Sequence, residues 1–574
     1  MIKKLSCVVM VLCFIFSTLV LASVFAQNQA TTIQRSEEEI QREERMRKRI
    51  ETKRKAPVIE EEEKEAAEEG GPQEKALVTK INVTGATIIS KKDIDAVTAQ
   101  YENKQLTLKE MQKAADLITD MYRKKGYATS RAYLPPQKIQ GGILEIKVVE
   151  GKMGNIEVKG NKWFSTKLIK GKIRLEKGEI FDYDALRRGL SKINQKPDRN
   201  AKAILTPGKE PGQTDVLLEV KDRIPLHAGF DYDNFGSRYI GYNRYAINAS
   251  DTNLTGLDDT LSAQYMFAPD DRYQIVSGTY QIPLLYDTLK LGAFMASSRI
   301  KLGKEFKDLG VTGKGQYWSL FATQTLIDTD MATLNLSGGF DYKDVYNYQL
   351  GTKTSVDKMR VLKWGIDLDI SDDWWRGGRT IVTNEMDFGL PEFIGGLKDV
   401  DSRASRVGSG GGFFKDVLNL IRVQNLPLDA TLLWRTQAQF ASDIVTATEQ
   451  FQIGGIANVR GYPAAENVGD SGFAMTWELG IPPYFIPKNA EIPYLKTRIY
   501  DTIRFVGFYD LGYVTLRNPQ VGEDRTKTLS SLGIGFRFNL PQYTSVRVEA
   551  AWPLGTKSSD GHNVQLLLSA SARF

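Results

Sequence analysis

The last stretch of this chain, Val564 to Phe574, restricts what the C-terminal part can fold into. Val564, Leu566, Leu568, Ala570, Ala572 and Phe574 fall on one face of an extended strand, and Gln565, Ser569, Ser571 and Arg573 fall on the other. A lipid-exposed barrel strand needs this apolar-out, polar-in alternation, although a soluble β-sandwich alternates in the same way. Runs of spanning length recur from Arg223 onward: Asp259 to Phe267, Tyr273 to Ile282, Leu289 to Ser297, Thr431 to Phe440, Phe473 to Ile481, Leu529 to Phe538 and Ser545 to Ala551. Beyond the N-terminal leader no apolar run approaches the roughly 20 residues a spanning helix requires. A membrane role therefore demands a closed barrel, which leaves no backbone group unpaired in lipid. About 350 residues at roughly 22 per strand and connection predict about 16 antiparallel strands over 223–574, with Tyr239, Tyr242, Trp374, Trp375 and Trp552 as candidates for interfacial belts.

The N-terminus supports a route to such a membrane. Lys3 and Lys4, the apolar run Val8 to Val24 and Val24-Phe25-Ala26 read as a secretory signal over 1–26, cleaved before Gln27. The only cysteines, Cys7 and Cys13, lie inside it, so the mature chain is expected to hold no disulfide, thiol nucleophile or cysteine-ligated metal. The net charge of +6, or +4 without Lys3 and Lys4, is too slight for 574 residues to indicate a nucleic-acid partner.

Residues 27–76 are dominated by charge. Ser36 and Glu39 form a capping box, and Arg35 to Lys55 reads as a helix with only Ile40, Met46 and Ile50 as apolar points. About 20 helical residues measure roughly 30 Å, a membrane's thickness, but so polar a helix could cross only within a wet channel. A disordered tail fits the same composition. Pro57, the acidic run Glu60 to Glu69 and Gly70-Gly71-Pro72 read as a linker.

The next segment repeats itself. Ile81, Val83, Gly85, Ser90 and Ile94 recur as Ile156, Val158, Gly160, Ser165 and Ile169, each shifted by 75 positions. Each copy reads as strand, helix, helix, strand, strand. In the first, Thr107 and Glu110 cap a helix carrying Met111, Ala114, Ala115, Ile118, Met121 and Tyr122 up to Gly126, followed by strands over Ala128 to Leu134 and Ile143 to Val149. In the second, Leu186, Leu190 and Ile193 mark a helix, and Val216 to Val220 the closing strand. Two small α+β modules are expected, over 77–151 and 152–222.

The run from Gly126 to Gln137, GYATSRAYLPPQ, closed by Val148-Val149-Glu150-Gly151, resembles the polypeptide-transport-associated (POTRA) domain of two-partner secretion transporters. Thr206-Pro207-Gly208 and Pro211-Gly212 resemble the same family in the second module. These are outer-membrane proteins that export haemolysins and filamentous adhesins. The resemblance implies periplasmic capture of an unfolded exoprotein, passage through the barrel without nucleotide hydrolysis, contact with outer-membrane lipid, and, through the aromatic terminus Phe574, recognition by the barrel-assembly machinery.

It also gives meaning to two unusual segments. Gly454 and Gly455 allow a tight turn ahead of Val459-Arg460-Gly461-Tyr462, and Phe508-x-Asp510-x-Gly512 follows about fifty residues on. The first resembles the family's long sixth extracellular loop, here around 442–470, which folds back into the barrel. The second resembles the strand motif whose aspartate receives that loop's arginine. Carried over, the pair is Arg460 with Asp510, and Glu478 on the intervening strand is a second carboxylate for a guanidinium that can satisfy two. The charged helix at 35–55 would match the resting-state plug of some relatives.

Enzymatic signatures fare poorly. Gly469-Asp470-Ser471-Gly472 matches the nucleophile tetrapeptide of chymotrypsin-like proteases, but neither histidine, His227 or His562, is placed near Ser471 by the strand order. No phosphate loop, zinc set or calcium loop has the required spacing, so no enzyme activity, cofactor or metal is expected. Two other readings compete with export. A barrel-assembly factor would usually carry more modules, and a passive porin would need neither the modules nor Arg460.

Overall fold

The computed structural model describes residues 31–32, 58–61 and 75–574 except 211, 286, 494, 496, 521, 541 and 542. The signal segment and the helix expected at 35–55 lie outside the described residues. Two compact units result, one comprising Lys53–Pro225 with Thr255–Leu257, the other comprising Leu226–Leu254 and Asp258–Phe574 with Thr31 and Thr32.

The smaller unit begins at β1 (Ile59–Glu61). Its first module contains β2 (Lys75–Val78), β3 (Lys80–Thr84), α1 (Lys91–Thr98), β4 (Lys104–Thr107), α2 (Leu108–Lys124), β5 (Arg131–Tyr133) and β6 (Ile143–Val149). The second contains β7 (Lys152–Lys159), α3 (Thr166–Gly171), α4 (Tyr183–Asn194), β8 (Arg199–Pro207) and β9 (Gln213–Asp222). The Thr107–Glu110 capping box forms in both directions, and Met111, Ala114, Ala115, Ile118 and Tyr122 of α2 are buried against Leu144, Ile146 and Val148 of β6. The strand expected from Ala128 is shorter, because Tyr127 to Ser130 turn, with the Ser130 amide donating to the Tyr127 carbonyl at 3.0 Å.

The 75-residue repeat has a physical basis. Gly85 and Gly160 hold φ of +85° and +89°, and a Cβ there would lie 2.3 Å from the Val148 carbonyl oxygen and 2.5 Å from that of Val220. Ser90 and Ser165 cap α1 and α3, while Ile94 and Ile169 enter the two cores. Each module also ends on a carboxylate that ties down the chain after its glycine. Glu150 accepts from the Thr87 amide (2.6 Å), the Ile88 amide (3.0 Å) and Tyr122 Oη (2.7 Å). Asp222 accepts from the amides of Lys162 (2.9 Å), Trp163 (2.8 Å) and Phe164 (3.0 Å).

Burial raises the Glu150 pKa, but the bonds from Thr87, Tyr122 and Ile88 outweigh it and hold the carboxyl below its ordinary value of 4.5. A depressed folded-state pKa stabilises above the unfolded value and ceases to do so as pH falls through the folded one. Glu150→Gln is therefore expected to cost about 1 kcal/mol at neutral pH. Hydrogen exchange at the Thr87 and Ile88 amides should speed up in the variant near neutrality, and the difference from the parent should shrink as acidification protonates the Glu150 carboxylate, below its ordinary value.

The reading of Glu60 to Glu69 as linker needs amendment at its start. Ile59, Glu60 and Glu61 pair in parallel with Ala203, Ile204 and Leu205, giving the sheet order β1-β8-β9-β7. Ile59 packs on the second core, and Glu60 meets Lys202 Nζ at 3.0 Å. One apolar residue and one complementary charge suffice to seat three residues of a largely acidic stretch on an open edge.

The larger unit is a closed antiparallel barrel, with sixteen strands among the described residues. They are β10 (Leu226–Asp233), β11 (Arg244–Asp251), β12 (Thr260–Ala268), β13 (Tyr273–Leu284), β14 (Leu289–Lys301), β15 (Thr312–Asp328), β16 (Ala332–Gln349), β17 (Thr352–Asp372), β18 (Gly378–Gly389), β19 (Phe413–Asn425) and β20 (Thr431–Ala441), then, after a hairpin of β21 (Phe451–Ile453) and β22 (Asn467–Gly469), β23 (Ser471–Ile481). A second insertion, with β24 (Glu491–Ile492), β25 (Thr497–Arg498) and α5 (Ile499–Thr502), precedes β26 (Ile503–Thr515), β27 (Thr526–Leu540), β28 (Thr544–Leu554) and β29 (Gln565–Arg573). The ring closes where Gly229 to Asp233 of β10 pair with Arg573 to Ser569 of β29. Alternation decides the faces. In β26 Phe505 and Tyr509 are exposed, whereas Val506, Phe508 and Asp510 are buried on the inner side. No helix among the described residues is long and apolar enough to cross a membrane.

Candidate functional site: the inward-folded loop

The loop from 442 to 470 joins β20 to β23 and is buried along most of its length. Its hairpin closes where the Gly455 amide donates to the Tyr462 carbonyl at 2.9 Å. Val459 and Tyr462 then pack with Phe451, Ile453, Ala474, Val514 and Leu529, so an apolar plate holds the loop tip against the wall. Two glycines permit this approach. A Cβ on Gly461 would lie 2.6 Å from Ser531 Cβ, and one on Gly512 would lie 2.8 Å from Val459 Cγ2. Tyr462 Oη donates to the Thr556 carbonyl at 2.9 Å.

The packing leaves Arg460 2% exposed. Its Nε donates to Asp510 Oδ2 and its Nη2 to Oδ1, both at 2.9 Å, and its backbone amide reaches Oδ2 at 3.2 Å. Its Nη1 donates to Glu478 Oε2 at 2.9 Å and Glu549 Oε2 at 3.2 Å. The guanidinium carbon lies 3.3 Å from the centroid of the Phe508 ring, adding a cation–π contact. The carboxylates have partners of their own. Arg537 bridges Glu478 and Glu549 at 2.7 Å each, Arg547 meets Glu549 at 2.7 Å, and Thr476 and Ser531 donate to Asp510. Three guanidinium groups thus balance three carboxylates, and Asp510 has Arg460 as its one cationic partner here, so losing Arg460 strands Asp510.

The loop is fastened on the far wall as well. Glu449, fully buried, takes Lys343 Nζ of β16 at 3.0 Å and Lys415 Nζ of β19 at 2.5 Å, and Lys415 also meets Asp387 of β18 at 3.1 Å. At the base, Asp470 pairs with Arg406 and accepts from the Val445 (3.0 Å) and Arg517 (2.8 Å) amides. In the ring, β16 stands seventh and β28 fifteenth, half a circumference apart, so the loop is strapped across the lumen. Thr31 and Thr32 join this assembly: Asn347 Nδ2 donates to Thr31 Oγ1 at 2.7 Å, and Gln452 Nε2 of the hairpin donates to the Thr32 carbonyl at 2.9 Å.

Of the residues expected from the sequence, Val459, Arg460, Gly461, Tyr462, Glu478, Asp510 and Gly512 meet at one place. Gly454 and Gly455 close the hairpin beside them without touching the carboxylates. Sequence reasoning missed Glu549, Arg537, Arg547, Glu449 and Asp470. Its one available signal was parity, since Arg537 between Phe536 and Phe538, and Glu549 between Val548 and Ala550, are charges alternating with apolar residues in spanning strands. The protease-like tetrapeptide is absorbed structurally. Ser471 Oγ accepts from the Ala441 amide at 3.0 Å, and Asp470 fastens the loop base.

Residues 212–538 match the family of haemolysin secretion/activation proteins ShlB/FhaC/HecB, and residues 76–151 match the ShlB-type POTRA domain. The heme/hemopexin transporter protein HuxB of Haemophilus influenzae (strain 86-028NP) is 22% identical over 511 residues, covering 86% of this chain and 87% of its own. The outer membrane transporter CdiB of Dickeya dadantii (strain 3937) is 22% identical over 481 residues, covering 83% and 82%. Among solved structures, CdiB from Escherichia coli superposes with a TM-score of 0.71 at 21% identity, covering 95% of this chain and 98% of that one. BamA from Haemophilus ducreyi lacking POTRA domains 1–3 gives 0.53 at 14% identity, covering 87% and 100%.

Proposed function

The chain belongs to the haemolysin secretion/activation protein family of outer-membrane two-partner secretion transporters, and from that premise we propose that export is gated by release of the 442–470 loop from its charge lattice. Exporting an exoprotein across the outer membrane is the family's function, with the POTRA modules in the periplasm. The observation that carries the gating reading is the buried Arg460 at the tip of a loop tied to opposite walls. A polypeptide threading the barrel must displace that strap, and a lattice of directed ionic bonds has two discrete states, made or broken.

Capture would use β-augmentation, the backbone ladder by which Ile59–Glu61 already extend the second module's sheet. The charged helix expected at 35–55 would act as the resting plug. Supporting this, Thr31 and Thr32 are buried against Asn347 and Gln452. No nucleotide enters the cycle.

The test is co-expression with a candidate exoprotein bearing its own signal and N-terminal secretion domain. Export is expected with the intact chain and is lost when 77–222 are removed, while unrelated outer-membrane proteins keep their levels. No export, with those levels falling when the gene is deleted, would instead establish barrel assembly as the role.

A further inference from the structure

The connection from β23 to β26 is longer than a turn needs to be, and its chemistry is unlike that of a solvated loop. It runs through Ile481-Pro482-Pro483-Tyr484-Phe485-Ile486-Pro487, and Phe485 is left 77% exposed. It lies at the barrel end where β10 begins, the periplasmic end, together with the β19–β20 turn. Leu428 forms the tip of that turn, 74% exposed and at a φ of +61°. The two connections are fastened to each other. Tyr484 Oη donates to the Leu428 carbonyl at 2.9 Å, Lys488 Nζ meets Asp429 Oδ2 at 2.6 Å, and Tyr500 Oη donates to the same carboxylate at 3.3 Å. Leu428, Tyr484 and Phe485 therefore present one apolar patch on a braced support.

Ring contacts fix which side of the barrel wall the patch occupies. Phe485 lies 6.0 Å, centroid to centroid, from Phe505, and Phe505 lies 5.7 Å from Phe536. Phe505 shares the outer face of β26 with Tyr509, opposite the lumenal Asp510, so Phe485 continues an aromatic row from the lipid-facing surface beyond the strand ends.

Exposed apolar residues at left-handed positions occur in turns at both ends of the barrel, Leu350 (φ +49°) and Ile394 (φ +44°) at the far end among them. Leu285 in the β13–β14 turn (φ +47°) and Trp375 in the β17–β18 turn (φ +36°) join Leu428 in the left-handed region, where turns normally place glycine, asparagine or aspartate. All three side chains are exposed. A strained backbone that also holds a large apolar group in water is doubly unfavourable, whereas the same tips in a lipid interface recover the burial.

We propose that Tyr484 and Phe485, with Leu428, form a membrane foot that inserts Phe485 and Leu428 into the phospholipid leaflet at the periplasmic end of the barrel. The apolar residues carry the contact, since Lys488 and Arg498 are paired with Asp429 and Asp501. The foot therefore binds neutral lipid as readily as anionic lipid. It would brace the wall carrying Glu478 and Asp510, because it joins the two strands that bear them.

The test places a nitroxide at Phe485→Cys and, separately, at the exposed polar Asn489→Cys, with Cys7 and Cys13 changed to serine. The full-length protein is reconstituted in phosphatidylcholine vesicles, and collision rates with oxygen and with an aqueous nickel chelate are read at each label. Insertion about 5–10 Å below the surface is expected to leave the label at 485 open to oxygen and about fivefold less accessible to nickel than the label at 489. Equal nickel accessibility at the two positions overturns the proposal. So does shielding at 485 from both reagents, which would mean that the patch docks on protein. If Phe485→Cys loses heat-modifiability, Leu428→Cys reads the same patch, with the same outcomes deciding.

Discussion

Arg460→Ala is expected to leave a heat-modifiable barrel in the outer membrane and to reduce export of the cognate exoprotein at least about tenfold, because a buried ion pair broken from one side costs about 3–5 kcal/mol. The barrel survives because its closure rests on the β10–β29 ladder, to which Arg460 contributes nothing. The loop does not keep its position, because Asp510, Glu478 and Glu549 lose the one cation that reaches all three. Arg537 and Arg547 still neutralise the two glutamates, but Asp510 keeps only the hydroxyls of Thr476 and Ser531. Arg460→Lys should fall between parent and alanine variant, since an ammonium keeps the charge but loses the planar fork that bonds Asp510 twice. Wild-type export by Arg460→Ala would end the gating reading and leave the lattice a stabilising feature only.

The second large effect is expected at the opposite wall. Glu449→Ala removes the carboxylate shared by Lys343 and Lys415, which keep Asp341 at 3.8 Å and Asp387 at 3.1 Å, a change of about 3 kcal/mol against the strapped loop. The tip would remain on Asp510 while the N-terminal half of the loop came free, so ion conductance through the barrel in planar bilayers should rise above the parent's. Unchanged conductance in Glu449→Ala, with export intact, would show that the strap is held from the Arg460 side alone. Comparing the two variants therefore assigns the resting closure to one wall or to both.

How much of this was readable in advance depended on the range of the interaction. Strand periodicity is local, and Val564 to Phe574 displays it within a single turn-to-turn segment, so the alternating strands and their approximate number followed from pattern and length, while closure into a barrel rather than a sandwich did not. The two modules were equally legible, because Gly85 and Gly160 must adopt left-handed φ beneath a carbonyl and Ser90 and Ser165 must cap, demands that each position imposes on its own residue. Arg460, Asp510 and Glu478 were legible only through motif resemblance.

Their partners were not readable. Nothing in the sequence around Glu449 says that it faces Lys343 and Lys415, which lie 106 and 34 positions upstream. Closing a sheet into a ring sets those distances, and ring closure is a property of all sixteen strands together. The sequence by itself determined which residues face inward and outward, because alternation is enforced residue by residue by the pleat. Only the tertiary structure decided which inward charges meet. Strand stagger and the path of a buried loop choose the partners, and the cost of an unpaired charge in a low-dielectric lumen makes that choice binding.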